Sequence, residues 1–180
     1  PETAMVSKQN LYAVTPQEVS ALFAPRALDS NKGRFGHVLV VAGSLGKSGA
    51  AALCGMAALR MGAGLATVAS PACVLPTVAG FSPELMTEPL SSGVSQNAAP
   101  RDAANPGDAA HCLELAKSRN VLAMGPGLSQ RLGVAEFVQR MLKGSHCPVV
   151  LDADGLNSFA GSPELLQGGS RALILTPHPG

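Results

Sequence analysis

Four segments of the sequence combine glycines with polar residues whose chemistry could serve a ligand. They read AGSLGKSGA at 42–50, GPGLS at 125–129, DADGLN at 152–157 and TPHPG at 176–180. Glycine-rich backbone offers bare N–H groups to a phosphate, and carboxylate and imidazole groups are common general acids and bases. These residue types indicate a site for an anionic ligand.

The first segment resembles the end of a Walker A motif. Gly46-Lys47-Ser48 has the right order, but the glycine required five residues before Gly46 is replaced by Val41, which argues against a P-loop. An anion could still approach the backbone N–H groups at Gly49 and Ala50, where a helix is predicted to begin. The alternative is that these small residues only permit tight packing of helix on sheet, and both interpretations stay open.

The second and third segments carry further candidates. Gly125 and Gly127 allow backbone geometries closed to other residues, so their N–H groups could face a ligand, although a plain turn explains them equally well. Asp154 is predicted to cap the next helix, with Asn157 one turn later. Asp152 has no such capping role and is therefore the better catalytic candidate.

The fourth segment places a histidine on stiff backbone. His178 stands between two prolines, which would fix its imidazole in space, so we predict a catalytic or binding role. The remaining histidines have no such context and are interpreted as structural or surface residues. The four cysteines form no CxxC pair and are predicted to be reduced.

Alternating short apolar runs and helical patterns must position these segments. Strands are predicted at 37–42, 65–69, 85–87, 121–124, 148–151 and 172–175, and helices at 49–61, 72–79, 108–118 and 134–142, with short helices through 156 and 165. This alternation predicts an α/β fold: a parallel sheet with helices on both faces. In such sheets ligands bind at the carboxyl ends of the strands, where all four segments fall.

Three other features of the chain shape these expectations. The helix at 49–61 is apolar nearly all round, which predicts burial on most sides. Residues 88–107 are rich in Pro, Ser, Asn and Gly, and predict a flexible loop. Residues 1–14 are predicted to be an N-terminal extension or a cloning remnant, and residues 15–180 a single domain.

Composition excludes several classes of partner. The formal net charge is +1, aromatic residues make up 3% of the 180 residues, and no basic run is present, so nucleic acid is not expected as a partner. No segment resembles a signal peptide or a membrane span, and a cytoplasmic location is the simplest expectation.

A family resemblance emerges when four motifs are taken in order: KGRFGHVLVVAGSLGKSGAAALCGMAALRMGAGLATVASP, MGPGL, VVLDADGLN and LTPHPG. Their order and spacing resemble the ADP/ATP-dependent NAD(P)H-hydrate dehydratases, a branch of the ribokinase-like superfamily. The resemblance extends from about Thr15 to Gly180. It implies a ribokinase-like fold, that is, a Rossmann-like three-layer arrangement.

The resemblance implies a role in nucleotide repair. The family dehydrates the hydrated form of NADH or NADPH at the expense of ADP or ATP, normally with Mg²⁺, by phosphorylation of the C6 hydroxyl and elimination of phosphate. Its substrate-contacting positions would fall on Ala50, Gly125, Gly127 and His178. The loop before Ala50 then resembles a dinucleotide-binding turn.

The sequence also departs from the family pattern. After the TPHPG stretch the family continues with a glutamate, further strands and helices, and a GTGD motif that supplies an anion hole and the catalytic aspartate. This sequence ends at Gly180. We therefore expect a fold that is incomplete at its C-terminus, doubtful native activity, and a homodimer or swapped oligomer that covers the exposed edge.

Two other functions stay open at this point. One is a metal-dependent hydrolase of phosphate esters, in which Asp152 and Asp154 hold a metal ion and, with His178, activate water. The other is a nucleotide-binding remnant without turnover. A cysteine nucleophile in SHCP or AHCLE is less favoured, because neighbouring residues of a strand or helix point apart.

Overall fold

Six parallel strands form one sheet in the computed structural model, which describes residues 13–23, 25–91 and 101–178. The strands are β1 (His37–Val41), β2 (Leu65–Ser70), β3 (Met86–Pro89), β4 (Val121–Met124), β5 (Val149–Asp152) and β6 (Leu173–Thr176). Each agrees with its predicted range to within two residues at either end. The predicted parallel α/β sheet is confirmed.

The order of the strands reverses at the centre of the sheet. Across the sheet they run β3-β2-β1-β4-β5-β6, so the chain builds outward from β1 and then returns to its other side. Val41 at the end of β1 pairs with Met124 at the end of β4. The chain leaves these two strands toward helices on opposite faces of the sheet, and open α/β sheets bind ligands in a crevice at such a reversal point.

Six α-helices accompany the sheet in the described part of the chain. They are α1 (Pro16–Ala21), α2 (Ser48–Arg60), α3 (Leu75–Phe81), α4 (Ala109–Ala116), α5 (Val134–Gly144) and α6 (Asp154–Asn157), with 3₁₀ turns at Lys32–Phe35, Pro106–Asp108 and Pro163–Leu165. Helix α3 starts later than predicted and has Pro76 in its first turn, where a missing N–H is tolerated.

Two apolar layers pack on opposite faces of the sheet. Leu39 and Val41 of β1 belong to the core that contains residues of α4 and α5, whereas Val40 of the same strand lies in the core that contains residues of α2. The two cores follow from strand geometry, because successive side chains point to opposite faces. Helices on both faces make the three-layer arrangement that the sequence predicts.

Helix α2 is buried on most sides and leaves one stripe of residues exposed to solvent. Gly55 allows one face to approach the sheet closely, since a Cβ there would lie 2.8 Å from Leu85 Cδ2. The opposite face stays in solvent, with Leu53 63% and Met61 62% exposed. The prediction of burial on most sides is confirmed, because the exposed residues form a single stripe along α2 and all the others are buried or half-buried.

Strand β6 forms an exposed edge of the sheet. Ile174 is 56% and Leu175 41% exposed, although the four central strands of this parallel sheet are largely buried. Parallel sheets are normally covered on both faces, so this edge is an unusual apolar surface.

The chain divides into two units, Pro1–Ser30 and Asn31–Gly180. The domain that the sequence predicts over residues 15–180 stays a prediction. Within the first unit, Thr15 and Glu18 form a capping box that starts α1. No helix among the described residues is long and apolar enough to cross a membrane.

The predicted flexible loop 88–107 is packed at both of its ends. Glu88 and Pro89 belong to β3, and Leu90 and Ala104 are each 2% exposed in the core. Residues 92–100 lie outside the described residues, so for them the flexible loop stays a prediction. All four cysteines are free thiols, as predicted.

Candidate functional site

The loops that follow β1 and β4 are tied together by hydrogen bonds. Gly43 N–H donates to the carbonyl of Pro126 at 2.9 Å, and Ser44 Oγ donates to the carbonyl of Gly127 at 2.8 Å. Ser44 is only 2% exposed, so its hydroxyl serves this contact. The two glycine-rich segments therefore form one continuous rim at the crevice.

Gly127 brings this rim against the first turn of α2. Its φ is +66°, and a Cβ at this position would lie 3.0 Å from both Ala50 Cβ and Lys47 Cβ. The structure thus places together Ala50 and Gly127, two of the residues predicted to contact a ligand. Gly49, beside them, is exposed at the start of the helix.

Gly125 lies deeper, against the end of β5. A Cβ there would lie 1.9 Å from the carbonyl oxygen of Asp152 and 2.9 Å from the backbone N of Gly155. Close packing of two backbones explains this glycine. Its predicted role in ligand binding stays a prediction.

Asp154 does not cap α6, contrary to the prediction. The N-cap is Ala153, which adopts a φ of +46°, and Asp154 is the first helical residue. Its carboxylate instead accepts the Ser129 N–H at 2.8 Å and pairs with Lys47 Nζ at 3.2 Å. Asn157 Nδ2 is 3.4 Å from the second carboxylate oxygen, Oδ1.

The charge of Asp154 is stabilised by these partners. Burial alone would raise the pKa of its carboxyl group, but the Ser129 N–H, the Lys47 ammonium and the Asn157 amide favour the charged form, and the pKa is lowered. Asp154 is therefore ionised at neutral pH. Its side chain is 12% exposed and that of Lys47 is 50% exposed, so the pair lies at the rim of the crevice.

Asp152 lies on the α2 side of the sheet. The preceding residue, Leu151, belongs to the core on the α5 side, and alternation turns Asp152 to the opposite face. Its Oδ1 accepts the Thr176 hydroxyl at 2.6 Å. Burial, together with the negative charge of Asp152, raises the pKa of the Cys54 thiol on α2 to about 11.

His178 lies beyond the end of β6. It follows Thr176 by two residues and is exposed, so the Thr176 hydroxyl links the Asp152 carboxylate to the segment that carries His178. The carboxyl ends of β1, β4, β5 and β6 are neighbours, spanning roughly 15 Å at the usual strand spacing. All the predicted site residues thus belong to segments at the carboxyl ends of the strands.

Sequence reasoning missed four residues that shape this edge. Lys47 belongs to the incomplete Walker motif, which gives it no predicted role. Ser44, Ser129 and Thr176 are not among the candidates that the sequence indicates. Ser129 has a φ of +72° and is 8% exposed, an unusual conformation for a residue other than glycine. The dipeptide GS and the triplet GLS are a weak signal for the two serines, whereas the partners of Thr176 and Lys47 are distant in sequence.

The described residues do not assemble a protein-built metal centre. They contain no group of three or more His, Cys, Asp or Glu side chains that could hold a metal ion. The carboxylates of Asp152 and Asp154 accept hydrogen bonds from Thr176 and from Ser129. This arrangement gives no support to the metal-dependent hydrolase alternative.

The cysteine of AHCLE is also unsuited to catalysis. Cys112 is fully buried, and burial, with a further contribution from the Asp108 charge, raises the pKa of its thiol to about 12. A thiol with such a pKa is not a thiolate at neutral pH.

Two cavities lie away from this edge. One of about 500 Å³ borders α5 near Phe159 and Arg171, and one of about 550 Å³ lies near Arg119 and Cys147. Neither is lined by a residue of the four segments. A crevice at the carboxyl ends is inferred from the strand order.

The sequence is similar to proteins that repair hydrated nicotinamide nucleotides. A family model described as NAD(P)H-hydrate dehydratase matches residues 38–180. The bifunctional NAD(P)H-hydrate repair enzyme of Moorella thermoacetica is 41% identical over 155 residues, which cover 86% of this chain and 28% of that protein.

Solved structures show the same similarity. The ADP/ATP-dependent NAD(P)H-hydrate dehydratase of Bacillus subtilis, co-crystallised with ATP and Mg²⁺, is 28% identical, with a TM-score of 0.65 over 92% of this chain and 52% of its own. A ribokinase-like superfamily protein from Enterococcus faecalis is 19% identical with a TM-score of 0.71, covering 94% of this chain and 56% of its own, and it supports the fold alone. The chain thus spans about half the length of these solved proteins and less than a third of the Moorella protein.

Proposed function

Because the chain belongs to the NAD(P)H-hydrate dehydratase family, we propose that it binds hydrated NADH or NADPH and serves their ADP- or ATP-dependent dehydration. One observation carries the proposal: the glycine-rich loops after β1 and β4 are joined into a single rim at the reversal point of the sheet. That crevice is where such sheets bind dinucleotides.

The rim offers groups suited to the proposed ligand. Gly49 and Ala50 present the start of α2, whose N–H groups and dipole favour a phosphate. Gly127 and Lys47 border the same place, since a Cβ on Gly127 would touch Lys47. We propose that the pyrophosphate of the dinucleotide lies here.

The nicotinamide end would then lie toward β5 and β6. Gly125, Asn157 and His178 are the further residues that we propose to line the site there. Asp152 and His178 are the titratable groups of this chain that we propose for proton transfer, because both belong to segments at the carboxyl ends of these strands.

The proposed reaction consumes ADP or ATP. The C6 hydroxyl oxygen of the hydrated nicotinamide bonds to the terminal phosphorus while the phosphoanhydride bond breaks, and the hydroxyl proton passes to a base. The C6–O bond then breaks, phosphate leaves, and a ring proton is lost. Mg²⁺ would be held through the nucleotide phosphates, because the described residues contain no cluster suited to a dedicated metal cage.

Ligand binding by the purified chain tests the proposal directly. We expect NADH fluorescence to change on binding, and His178→Ala to weaken affinity about tenfold, the effect of losing roughly one good hydrogen bond. His146→Ala, an exposed histidine outside the four segments, is the matched control and should leave affinity unchanged. Absence of NADH and ADP-ribose binding by the folded chain would contradict the proposal.

Turnover is then measured with hydrated NADH, Mg²⁺ and either ADP or ATP. Return of NADH absorbance that requires the nucleotide supports the full reaction. Binding without any return would instead favour a nucleotide-binding remnant. Chelator-sensitive hydrolysis of phosphate esters would revive the hydrolase alternative, which no observation on the described residues favours.

We also propose that the exposed edge strand β6 supports self-association. Ile174, which is 56% exposed, would be covered by a second copy of the chain. Ile174→Glu should weaken association at least about tenfold, as removal of a central apolar contact does. Leu132→Glu, at an exposed leucine outside this surface, is the control. Light scattering that shows a monomer at micromolar concentration would overturn this expectation.

The cytoplasmic location stays a prediction from sequence.

A further inference from the structure

Asp154 connects three segments that leave three different strands. It opens α6 after β5, its carboxylate accepts the Ser129 N–H at 2.8 Å from the loop after β4, and it pairs at 3.2 Å with Lys47 from the loop after β1. These segments carry most of the residues proposed to bind the ligand. A single side chain thus bridges the whole rim.

The Ser129 contact holds a strained stretch of backbone. Ser129 has a φ of +72°, which places it in the left-handed region that residues with a side chain rarely adopt. Such conformations persist where the surroundings fix them, and they concentrate at functional sites. The Asp154 carboxylate supplies that constraint, because it accepts the N–H of Ser129 itself.

The contact with Lys47 offsets an unfavourable interaction between the lysine ammonium and the α2 dipole. Lys47 is the N-cap of α2, where the positive end of the helix dipole disfavours a cation. Asp154 lies 3.2 Å from its ammonium group and offsets this repulsion. The ammonium is thereby kept at the rim, beside the N–H groups that would face a phosphate.

We propose that ionised Asp154 is a positioning residue, which fixes the loop of residues 125–129 on the first turn of α2 and so preorganises the ligand site. This inference rests on the proposed dinucleotide site for its ligand, but the loop geometry can be measured without one. Preorganisation favours binding because the loops need not be ordered when the ligand arrives.

The experiment compares amide hydrogen exchange and ligand affinity in four variants. Asp154→Ala removes both contacts, whereas Asp154→Asn keeps an acceptor for Ser129 and loses only the charge. Lys47→Arg preserves the ion pair. Glu114→Gln, in the exposed Glu114–Lys117 pair, is the matched control because it also removes a negative charge from an ion pair.

We expect exchange of the Ser129 amide to accelerate at least about 30-fold in Asp154→Ala, because a protecting hydrogen bond is lost. The dissociation constant for NADH and for ADP-ribose should rise about tenfold in Asp154→Ala and about threefold in Asp154→Asn. Lys47→Arg should keep the Ser129 exchange rate of the wild type, and Glu114→Gln should resemble the wild type in both exchange and affinity. If Asp154→Ala does not fold, Asp154→Asn still tests the proposal: its neutral oxygen is a weaker acceptor, so Ser129 exchange should accelerate about threefold together with the loss of affinity.

The outcomes separate the two proposals. Unchanged Ser129 exchange in Asp154→Ala overturns the positioning role. Faster exchange with unchanged affinity overturns it as well, because the residue would then be merely structural. A wild-type chain that binds neither NADH nor ADP-ribose overturns the proposed function, and the exchange result alone then decides whether Asp154 positions the loop.

Discussion

Substitution of Gly125 by alanine should destabilise the protein by about 3 kcal/mol or more, through overpacking and backbone strain together. A Cβ at this position would lie 1.9 Å from the carbonyl oxygen of Asp152, and the backbone φ is +128°. Because this Cβ would collide with a backbone atom, no side-chain rotation can relieve the collision. The ends of β4 and β5 would have to separate, and affinity for NADH should fall with them.

Gly161→Ala is the matched control for this substitution. Gly161 also has a positive φ, +83°, but a Cβ there would meet nothing within 4 Å. Gly161→Ala should therefore lower the free energy of unfolding by only about 1 kcal/mol, the cost of placing alanine in a left-handed backbone conformation. Urea unfolding of both variants makes the comparison, and equal losses would show that the backbones of β4 and β5 are not in the close contact described.

Loss of the Asp108 charge should cause the second largest loss of stability. Asp108 is 2% exposed and binds the Arg101 guanidinium through both oxygens, at 2.6 and 3.2 Å, and accepts the Asn105 N–H at 3.0 Å. Asp108→Asn keeps the shape but removes the charge. We expect a loss of about 2–3 kcal/mol, moderated because Arg101 is 44% exposed and can regain water.

The segment held by Asp108 supports the candidate site. The carbonyl of Asp102, six residues earlier, accepts the Leu45 N–H at 2.9 Å in the loop after β1. Weaker NADH binding should therefore accompany the loss of stability. Glu114→Gln, which breaks an exposed ion pair, should cost less than about 0.5 kcal/mol in the same urea experiment. If Asp108→Asn behaves like this control, the Arg101–Asp108 pair does not anchor the segment.

Local sequence patterns were sufficient for most of the fold. The apolar runs of β1 and β4, bounded by glycines, predicted strands that the structure confirms, because a strand buried on both faces must be apolar throughout. The alternation of strands with helices then fixed their parallel direction. The four polar segments had to fall at one edge, since parallel strands all end on the same side.

Burial of whole elements was harder to predict. The apolar composition of helix α2 indicates burial on most sides, but it does not indicate which side stays exposed; in the structure that side carries Leu53, which is 63% exposed. Composition indicates which residues could be buried. Packing against neighbouring elements determines which of them are buried in the structure. The same reason explains why residues at the ends of the predicted loop 88–107, such as Leu90, lie in the core.

The roles of single polar residues depended on partners distant in sequence. Asp154 looked like a helix cap from its neighbours, but its bonding partners Lys47 and Ser129 are 107 and 25 residues away. No local pattern encodes those distances, because the order of strands across the sheet creates them. Asp152 likewise meets Thr176, 24 residues later, only because β5 and β6 are adjacent.

The sequence by itself therefore determined the α/β class, the edge of the sheet that carries the chemistry, and the family. Hydrophobic periodicity and the motif order contain that information locally. Only the tertiary structure decided that Asp154, rather than the Walker-like lysine alone, joins the loops of the site. Tertiary packing determines these partners, because hydrogen bonds and ion pairs form between the groups that the strand order brings within about 3 Å of one another.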